Sequence, residues 1–462
     1  MRVHPKIVVF DDDPTGSQTV HGCPLLLRFD RASLVEGLRD PSPLLFLLTD
    51  SRAQPPEQAR RRLGAIAREL EAAAREEGLG DWLLVSRGDS TLRGHFPLET
   101  EAISAELGPF DATLLVPCFL EGGRTTVDGV HLLAGEPVHT TAFGHDRLFG
   151  YGTSYLPAWV EEKTAGRVPA AAVQRIGLDE LGAAAVGGEA AERLIQRLLG
   201  LRGNPVVVAD GSRPEHLEAL ARAIWAAQAA GSRLLIQSAA GLIQALAELP
   251  PPALDAHGLA ALRRGSSPGA VLVGSHVPLA DAQLAALLAE PGCGGVEVPV
   301  EAVLADLRGG TLPSTALEKE LRAAMNGLGA RGLTPVLFTS RGERSCADEN
   351  ERRVLGEALA ALMARIAAGL PADLSYLISK GGITTQTLLT TGLGVGAVRL
   401  EGQLLPGLSL VRLPADHPRL PGLPLLTFPG NLGEPGTLLQ AWRRMEAAAV
   451  APGEPTVLAG TT

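Results

Sequence analysis

The chain of 462 residues has only four cysteines, Cys23, Cys118, Cys293 and Cys346, and no CxxC pair. Such scattered thiols support neither a zinc site nor a disulfide framework, and they fit buried reduced cysteines in a cytosolic protein. Aromatic residues make up 4% of the chain, few for a platform on which bases could stack. Basic charge is also short. Lys plus Arg number 41 against 51 Asp plus Glu, a formal charge of −10, which gives no footprint for DNA or RNA. No run of roughly 18 uncharged apolar residues occurs, so no membrane span is expected. The opening MRVHPKIVVFDDD lacks a long apolar core ahead of its acidic run. A secretory signal is therefore not expected and a cytoplasmic location is. A Walker-type GxxxxGK loop is missing. The GLGVG at Gly392 to Gly396 is spaced GxGxG rather than GxGxxG, which argues against a dinucleotide fingerprint.

What remains is an ordinary globular mixture, 45% hydrophobic and 20% charged, which excludes a disordered or fibrous chain. At roughly 150 residues per domain the length suggests two or three domains. One unit recurs: a short apolar run, a polar or Gly-rich turn, then a longer Ala/Leu/Arg-rich stretch. KIVVF runs into DDDPTGS, LLFLL into TDSR, WLLV into SRGDSTLRG, TLLV into PCFLEGGRTT, VVVA into DGSRPE and LLIQ into SAAG. After a Pro-rich stretch, VLV (Val271 to Val273) leads to GSH, PVLFT to SRGER, SYLI (Ser375 to Ile378) to SKGGITT and LLTF to PGNLGEPG. Continuous apolar strands alternating with helices indicate an α/β fold with mainly parallel sheets covered on both faces. Ligands of such sheets sit beyond the carboxyl ends of the strands, where these polar turns fall. The expected division is a first domain over 1–248, a linker over 249–268 and a second α/β domain over 269–450, followed by a loose tail.

Four segments could carry chemistry. In FDDDPTGSQTV, Asp11, Asp12 and Asp13 follow a buried strand directly, and like charges this close raise one another's pKa unless cations compensate. They suit binding sugar hydroxyls, deprotonating one as a general base, or a Mg²⁺ contact; capping of a following helix through Asp13, Thr15 or Ser17 is the plain alternative. In SRGDSTLRGHF, Arg87, Asp89 and Arg93 form an ion-pair cluster or an anion site, since a guanidinium fork matches a carboxylate. Ser90 and Thr91 could complete such a site, while His95 reads as a packing histidine. In PCFLEGGRTTVDGVHLL, Gly122 and Gly123 allow close backbone approach and Arg124 adds a cation; His131, His139 and His145 lack metal-ligand spacing. The fourth group is GSH (Gly274, Ser275, His276), KGGITT (Lys380 to Thr385) and FPGNLG (Phe428 to Gly433). Each is a Gly-rich turn after an expected strand, whose bare N–H groups can cradle phosphate oxygens, with Lys380 as an added point charge.

In this order the segments resemble the four-carbon acid sugar kinase family. DDDPTG looks like the family's ADDLTG signature, DSTLRG matches its DSTLRG segment, and KGGIT with FPGN looks like its late nucleotide-binding turns. EGGRTT and the Phe149 to Thr164 stretch resemble one branch. Departures are Asp11 for a small residue, Pro14 for Leu, His276 after Ser275, and Ile383 where some members are acidic. The resemblance implies a two-domain enzyme with its active site in the inter-domain cleft. An N-terminal domain would hold a threonate, erythronate or 3-oxo-tetronate, and a C-terminal domain would hold ATP with Mg²⁺. Carried over by position, Asp12, Asp13, Asp89, Ser90 and Arg93, with Arg124 beside them, fall to the substrate. Ser275, Lys380, Gly381, Gly382, Ile383, Thr384, Gly430 and Asn431 fall to the nucleotide. Asp12 or Asp13 would be the catalytic base, and Arg93 with Arg124 would grip the carboxylate. Metal ligands stay unassigned. The expected partners are a small sugar acid and ATP, with no nucleic acid or membrane; a homodimer is the assembly considered. A kinase for another hydroxy acid such as glycerate, or a non-catalytic binding protein on the same fold, are the alternatives.

Overall fold

The computed structural model describes residues 4–13, 19–250, 253–342 and 346–448. Pro14 to Gln18 and the expected tail after 448 lie outside the described residues, and with them the capping roles considered for Thr15 and Ser17.

Branched apolar residues dominate the first strand, Lys6–Asp11, and Val8 and Val9 are both fully buried. Burial of consecutive residues, which point to opposite faces, means the sheet is covered on both sides. One cover is the helix Pro56–Glu76, with proline at its first position. Its Leu63, Ile66, Ala67, Leu70 and Ala73 recur at helical spacing and pack on Val8, Leu45 and Leu84. Removing one such side chain, as in Leu45→Ala, should cost about 2–5 kcal/mol.

The chain divides into two compact units: Met1–Pro252 with Gly396–Glu401, and Ala253–Val395 with Gly402–Thr462. In the N-terminal unit the parallel strands run in the order Cys23–Leu26, Leu44–Leu48, Lys6–Asp11, Trp82–Arg87, Leu234–Ser238, Ala112–Val116, Val206–Ala209, Gln174–Ile176. The chain leaves Lys6–Asp11 first toward one edge of the sheet and later toward the other. Such a switch point opens a crevice at the strands' carboxyl ends, where Asp11 to Asp13 follow. Residues 397–400 pair antiparallel with Cys23–Leu26, a contribution from late in the chain that no local pattern signals.

The C-terminal unit repeats the logic. Its parallel strands run Cys293–Val298, Thr334–Thr339, Ala270–Val273, Leu377–Lys380, Pro424–Phe428, and Leu408–Arg412 is added antiparallel. The switch point here follows Val273, at the GSH turn. The strand expected over Ser375 to Ile378 lies two residues later. The Pro-rich stretch expected as a linker carries the helix Ala256–Leu262, because Asp255 accepts from Gly258 N at 2.7 Å as N-cap and Leu259 is buried.

A separate antiparallel sheet, Arg124–Val127, Val130–Leu133 and Glu136–Pro137, was not expected. Its sequence signal is Asp128-Gly129, whose φ values of 50° and 75° make the tight turn that joins hairpin strands.

Candidate active site

The acidic turn of the N-terminal unit is neutralised by arginines from two neighbouring strand ends. Arg87 closes strand Trp82–Arg87 opposite Asp11 in the register. Its Nη1 donates to Asp11 Oδ1 at 3.3 Å and to Asp12 Oδ1 at 3.1 Å. Arg52, in the TDSR turn, pairs closely with Asp13 and lies 3.8 Å from Asp12 Oδ2 and 3.7 Å from Asp89 Oδ1. Arg93 Nε donates to Asp89 Oδ2 at 2.7 Å, and Thr91 Oγ1 donates to the same oxygen. Arg52 and Arg93 thus link Asp12, Asp13 and Asp89 into one ion-pair network. Arg87, however, faces the acidic trio rather than Asp89, and Arg52 had been given no role.

Burial dominates the electrostatics. It pushes the Asp11 carboxyl up to about 7 against the pull of Arg87. It also raises Asp12, with Arg52 and Arg87 opposing. Asp12 Oδ2 is buried and accepts no hydrogen bond. Asp89 is only partly exposed, and desolvation raises its pKa, yet Arg52, Arg93 and Thr91 together hold it below the ordinary value. Glu99, in the first turn of helix Leu98–Leu107, escaped the sequence reading. Burial and then the Asp12 carboxylate push its pKa up to about 8, and Ser51 Oγ donates to Oε1 at 2.5 Å. A β-carbon on Gly94 would stand 3.6 Å from Asp12 Oδ2 and 3.9 Å from Glu99 Oε2, so both oxygens flank one bare backbone position. No periodicity distinguishes Glu99 from an ordinary first-turn acid.

The carboxylate grip assigned to Arg93 needs adjustment. Its guanidinium already pairs with Asp89, lies 3.8 Å from Asp146 and stacks 4.8 Å over Phe143. Arg124, by contrast, makes no ion pair among the described residues. It donates to the Gly122 carbonyl, lies over Phe119, and its buried Nε has no partner. Ser90 is buried and its carbonyl meets His131 Nε2 at 2.8 Å, while Tyr151 donates to the Thr91 carbonyl at 2.6 Å. The hairpin and the segment after it thus buttress the DSTLRG loop. His131 is a buried packing group whose pKa burial lowers to about 4. His95 bonds the Gln54 carbonyl and stacks edge-on against Phe149.

In the C-terminal unit the glycine turns converge. A β-carbon on Gly430 would stand 2.7 Å from Ser275 Oγ, one on Gly274 would overlap Thr384 Oγ1, and one on Gly381 would come within 3.4 Å of Ser275 N. Gly381 also has φ of 117°, which side-chain-bearing residues rarely adopt. Its N–H donates to the Phe428 carbonyl at 2.9 Å, and Gly274 N to the Lys380 carbonyl at 3.1 Å. Ser275, Gly381, Gly382, Thr384 and Gly430 therefore sit in one cluster of turns, with Ile383 and Asn431 exposed beside it. Lys380, considered as an added point charge, lies inside the unit. It is fully buried, donates to the Pro429 and Gly430 carbonyls at 3.0 and 3.1 Å, and lies 4.1 Å over the Phe428 ring. Burial lowers its pKa to about 8. Arg341, which had no assigned role, holds the Ser275 carbonyl at 2.6 Å and Asp281 at 3.0 Å.

Each of the two α/β units carries polar turns at a topological switch point. Residues 7–246 match the family described as the sugar-binding N-terminal domain, and residues 270–438 the nucleotide-binding C-terminal domain. The chain belongs to the four-carbon acid sugar kinase family. It is 28% identical over 360 residues to a D-threonate kinase of Bordetella bronchiseptica, covering 78% of this chain and 76% of that one. It is 31% identical over 147 residues to a D-erythronate kinase of Heliobacterium modesticaldum, covering 30% of this chain and 32% of the relative. That match spans about a third of the relative's length. The fold is shared with a structure from Salmonella typhimurium LT2, at a TM-score of 0.66 and 18% identity over 96% of this chain and all of that one. A Haemophilus influenzae protein gives 0.62 and 17%, over 95% of this chain and all of that one. Among the described residues no helix is long and apolar enough to cross a membrane.

Proposed function

We propose that the protein is an ATP-dependent kinase that phosphorylates a hydroxyl of a four-carbon sugar acid of the threonate, erythronate or 3-oxo-tetronate type. The observation that carries this reading is Asp12: a buried carboxylate whose raised pKa makes it basic, with one oxygen fixed by Arg87 and the other without a hydrogen bond. The names of the threonate and erythronate kinases support the same substrate class.

Asp12 takes the proton of the acceptor hydroxyl as its oxygen attacks the γ-phosphorus. The new O–P bond forms as the bond to the β-phosphate oxygen breaks, releasing ADP. Asp13, paired with Arg52, orients the acceptor. Arg124 holds the substrate carboxylate, with Arg93 fixing Asp89 beside it. Backbone N–H groups of the Ser275, Gly381 to Thr384 and Gly430 turns hold the nucleotide phosphates. Lys380 shapes the Pro429–Gly430 turn from beneath.

Mg²⁺ fits this chain only as the ion that accompanies nucleotide phosphates. Asp11, Asp12, Asp13 and Asp89 are engaged by arginines, and among the described residues no three His, Cys, Asp or Glu side chains converge as a metal cage. The test is ADP release from ATP with threonate, erythronate, 3-oxo-tetronate and glycerate in turn. A tetronate should give the highest kcat/KM. Glycerate as the best acceptor would transfer the reading to another hydroxy acid, and ADP release with none of them would overturn it.

A further inference from the structure

At the carboxyl end of strand Leu234–Ser238, two buried side chains carry polar atoms that the protein itself leaves unanswered. Gln237 is 7% exposed and Ser238 3% exposed. Gln237 Oε1 and Ser238 Oγ have no hydrogen-bond partner. Buried polar atoms are almost always paired, because losing water without a replacement is unfavourable. The two side chains leave the strand on opposite faces, and Gln237 shares its face with Leu115.

Both residues line a cavity of about 20 Å³ whose wall also includes Asp89, Arg93, Gly94 and Glu99. That space admits about one water-sized group. Leu92, Phe96 and Leu115 give the same cavity an apolar side, and Trp159, whose buried Nε1 also has no hydrogen-bond partner, completes the wall. A wall polar on one side and apolar on the other matches a carbon bearing a hydroxyl: its C–H faces the rings and methyls, its O–H the Gln237 carboxamide.

The cavity is fixed in place by the sheet. Gln237 stands opposite Ser86 and Leu115 in the register, and Ser238 opposite Arg87 and Val116. Gly88 N donates to the Ser238 carbonyl at 3.0 Å. A β-carbon at Gly88 would stand 2.8 Å from Gln237 Nε2, so the bare glycine is what leaves room for the carboxamide. The strand end is thereby tied to the segment that carries Arg87 and Asp89.

We propose that Gln237 is a specificity-determining residue that hydrogen-bonds one secondary hydroxyl of the polyhydroxy acid. The inference rests on the proposed sugar-acid reading and deepens it: the substrate must carry a hydroxyl at that carbon, not merely a carboxylate and a phosphorylatable end. A site built to pair a hydroxyl discriminates strongly against the analogue lacking it, because its own polar atoms are then stranded.

The full-length protein tests this with threonate, erythronate, 3,4-dihydroxybutanoate and 2,4-dihydroxybutanoate, the last two lacking one secondary hydroxyl each. Binding is read by calorimetry without nucleotide, and kcat/KM by ADP release. The wild type should favour its best tetronate over one deoxy acid by about 100-fold or more. Gln237→Met should lower affinity and kcat/KM for the tetronate by about 10-fold or more while leaving the disfavoured deoxy acid nearly unchanged, so that the ratio collapses. An unchanged ratio in a folded variant overturns the proposal. If Gln237→Met does not fold, Gln237→Asn, which keeps a carboxamide but draws it back by one methylene, decides alone. A wild type that binds tetronates with this discrimination but releases no ADP would sink the kinase reading and leave the subsite standing. A wild type that binds no tetronate overturns both.

Discussion

Asp12 and Arg87 meet across two adjacent parallel strand ends, with Arg87 Nη1 donating to Asp12 Oδ1 at 3.1 Å. The bond holds a buried carboxylate in one orientation and leaves its second oxygen without a hydrogen bond. Asp12→Asn keeps the shape and removes the proposed base. Turnover should fall by about 10²–10⁴ in a folded protein. Asp13→Asn, which loosens Arg52, should cost less; stopped-assay turnover of the two variants side by side decides between them, and the reverse order would make Asp13 the base.

Glu99 offers a pH test of the same pocket. Its folded pKa of about 8 lies above the ordinary value of 4.5. The folded state therefore holds a proton that the unfolded state has lost between those values, and stability declines as pH rises through that window. Glu99→Gln cannot ionise and lacks this decline. The melting temperature of the variant minus that of the wild type should grow from pH 5 to pH 9. A constant difference would mean that Glu99 is ionised throughout.

Arg124 should govern sugar-acid affinity. A charge-assisted hydrogen bond contributes about 1.5–3 kcal/mol, so Arg124→Ala should raise the KM for the acid by roughly 10- to 150-fold. Nucleotide KM should not move. A normal acid KM would return the carboxylate grip to Arg93.

Gly430→Ala places a methyl 2.7 Å from Ser275 Oγ and must displace one turn or the other. Calorimetry should record weaker ATP binding, with sugar-acid binding by the N-terminal unit unchanged. Equal loss of both would point to general unfolding.

Much of this was legible in the chain because parallel strands are short, apolar and followed at once by their functional turns. KIVVF, LLFLL and LLIQ announced both the strand and the position of the polar residues after it. The hairpin over 124–133 was less visible, since its short, half-polar strands are recognisable mainly through Asp128-Gly129. The pairing of residues 397–400 with Cys23–Leu26 joins positions far apart in sequence, which local pattern does not encode. At the site, motif residues could be named, but partners could not. That Arg87 turns toward Asp12, that Lys380 lies beneath its turn, and that Glu99 is driven toward neutrality all depend on burial. Burial is a property of the packed molecule.

Phosphorus NMR of the full-length protein with ATP, Mg²⁺ and the best tetronate tests the central claim most directly. A phosphate monoester signal should grow in step with ADP, and Asp12→Asn should suppress both together. Inorganic phosphate in place of the ester, or no ADP with any tetronate, would contradict phosphoryl transfer to a four-carbon sugar acid.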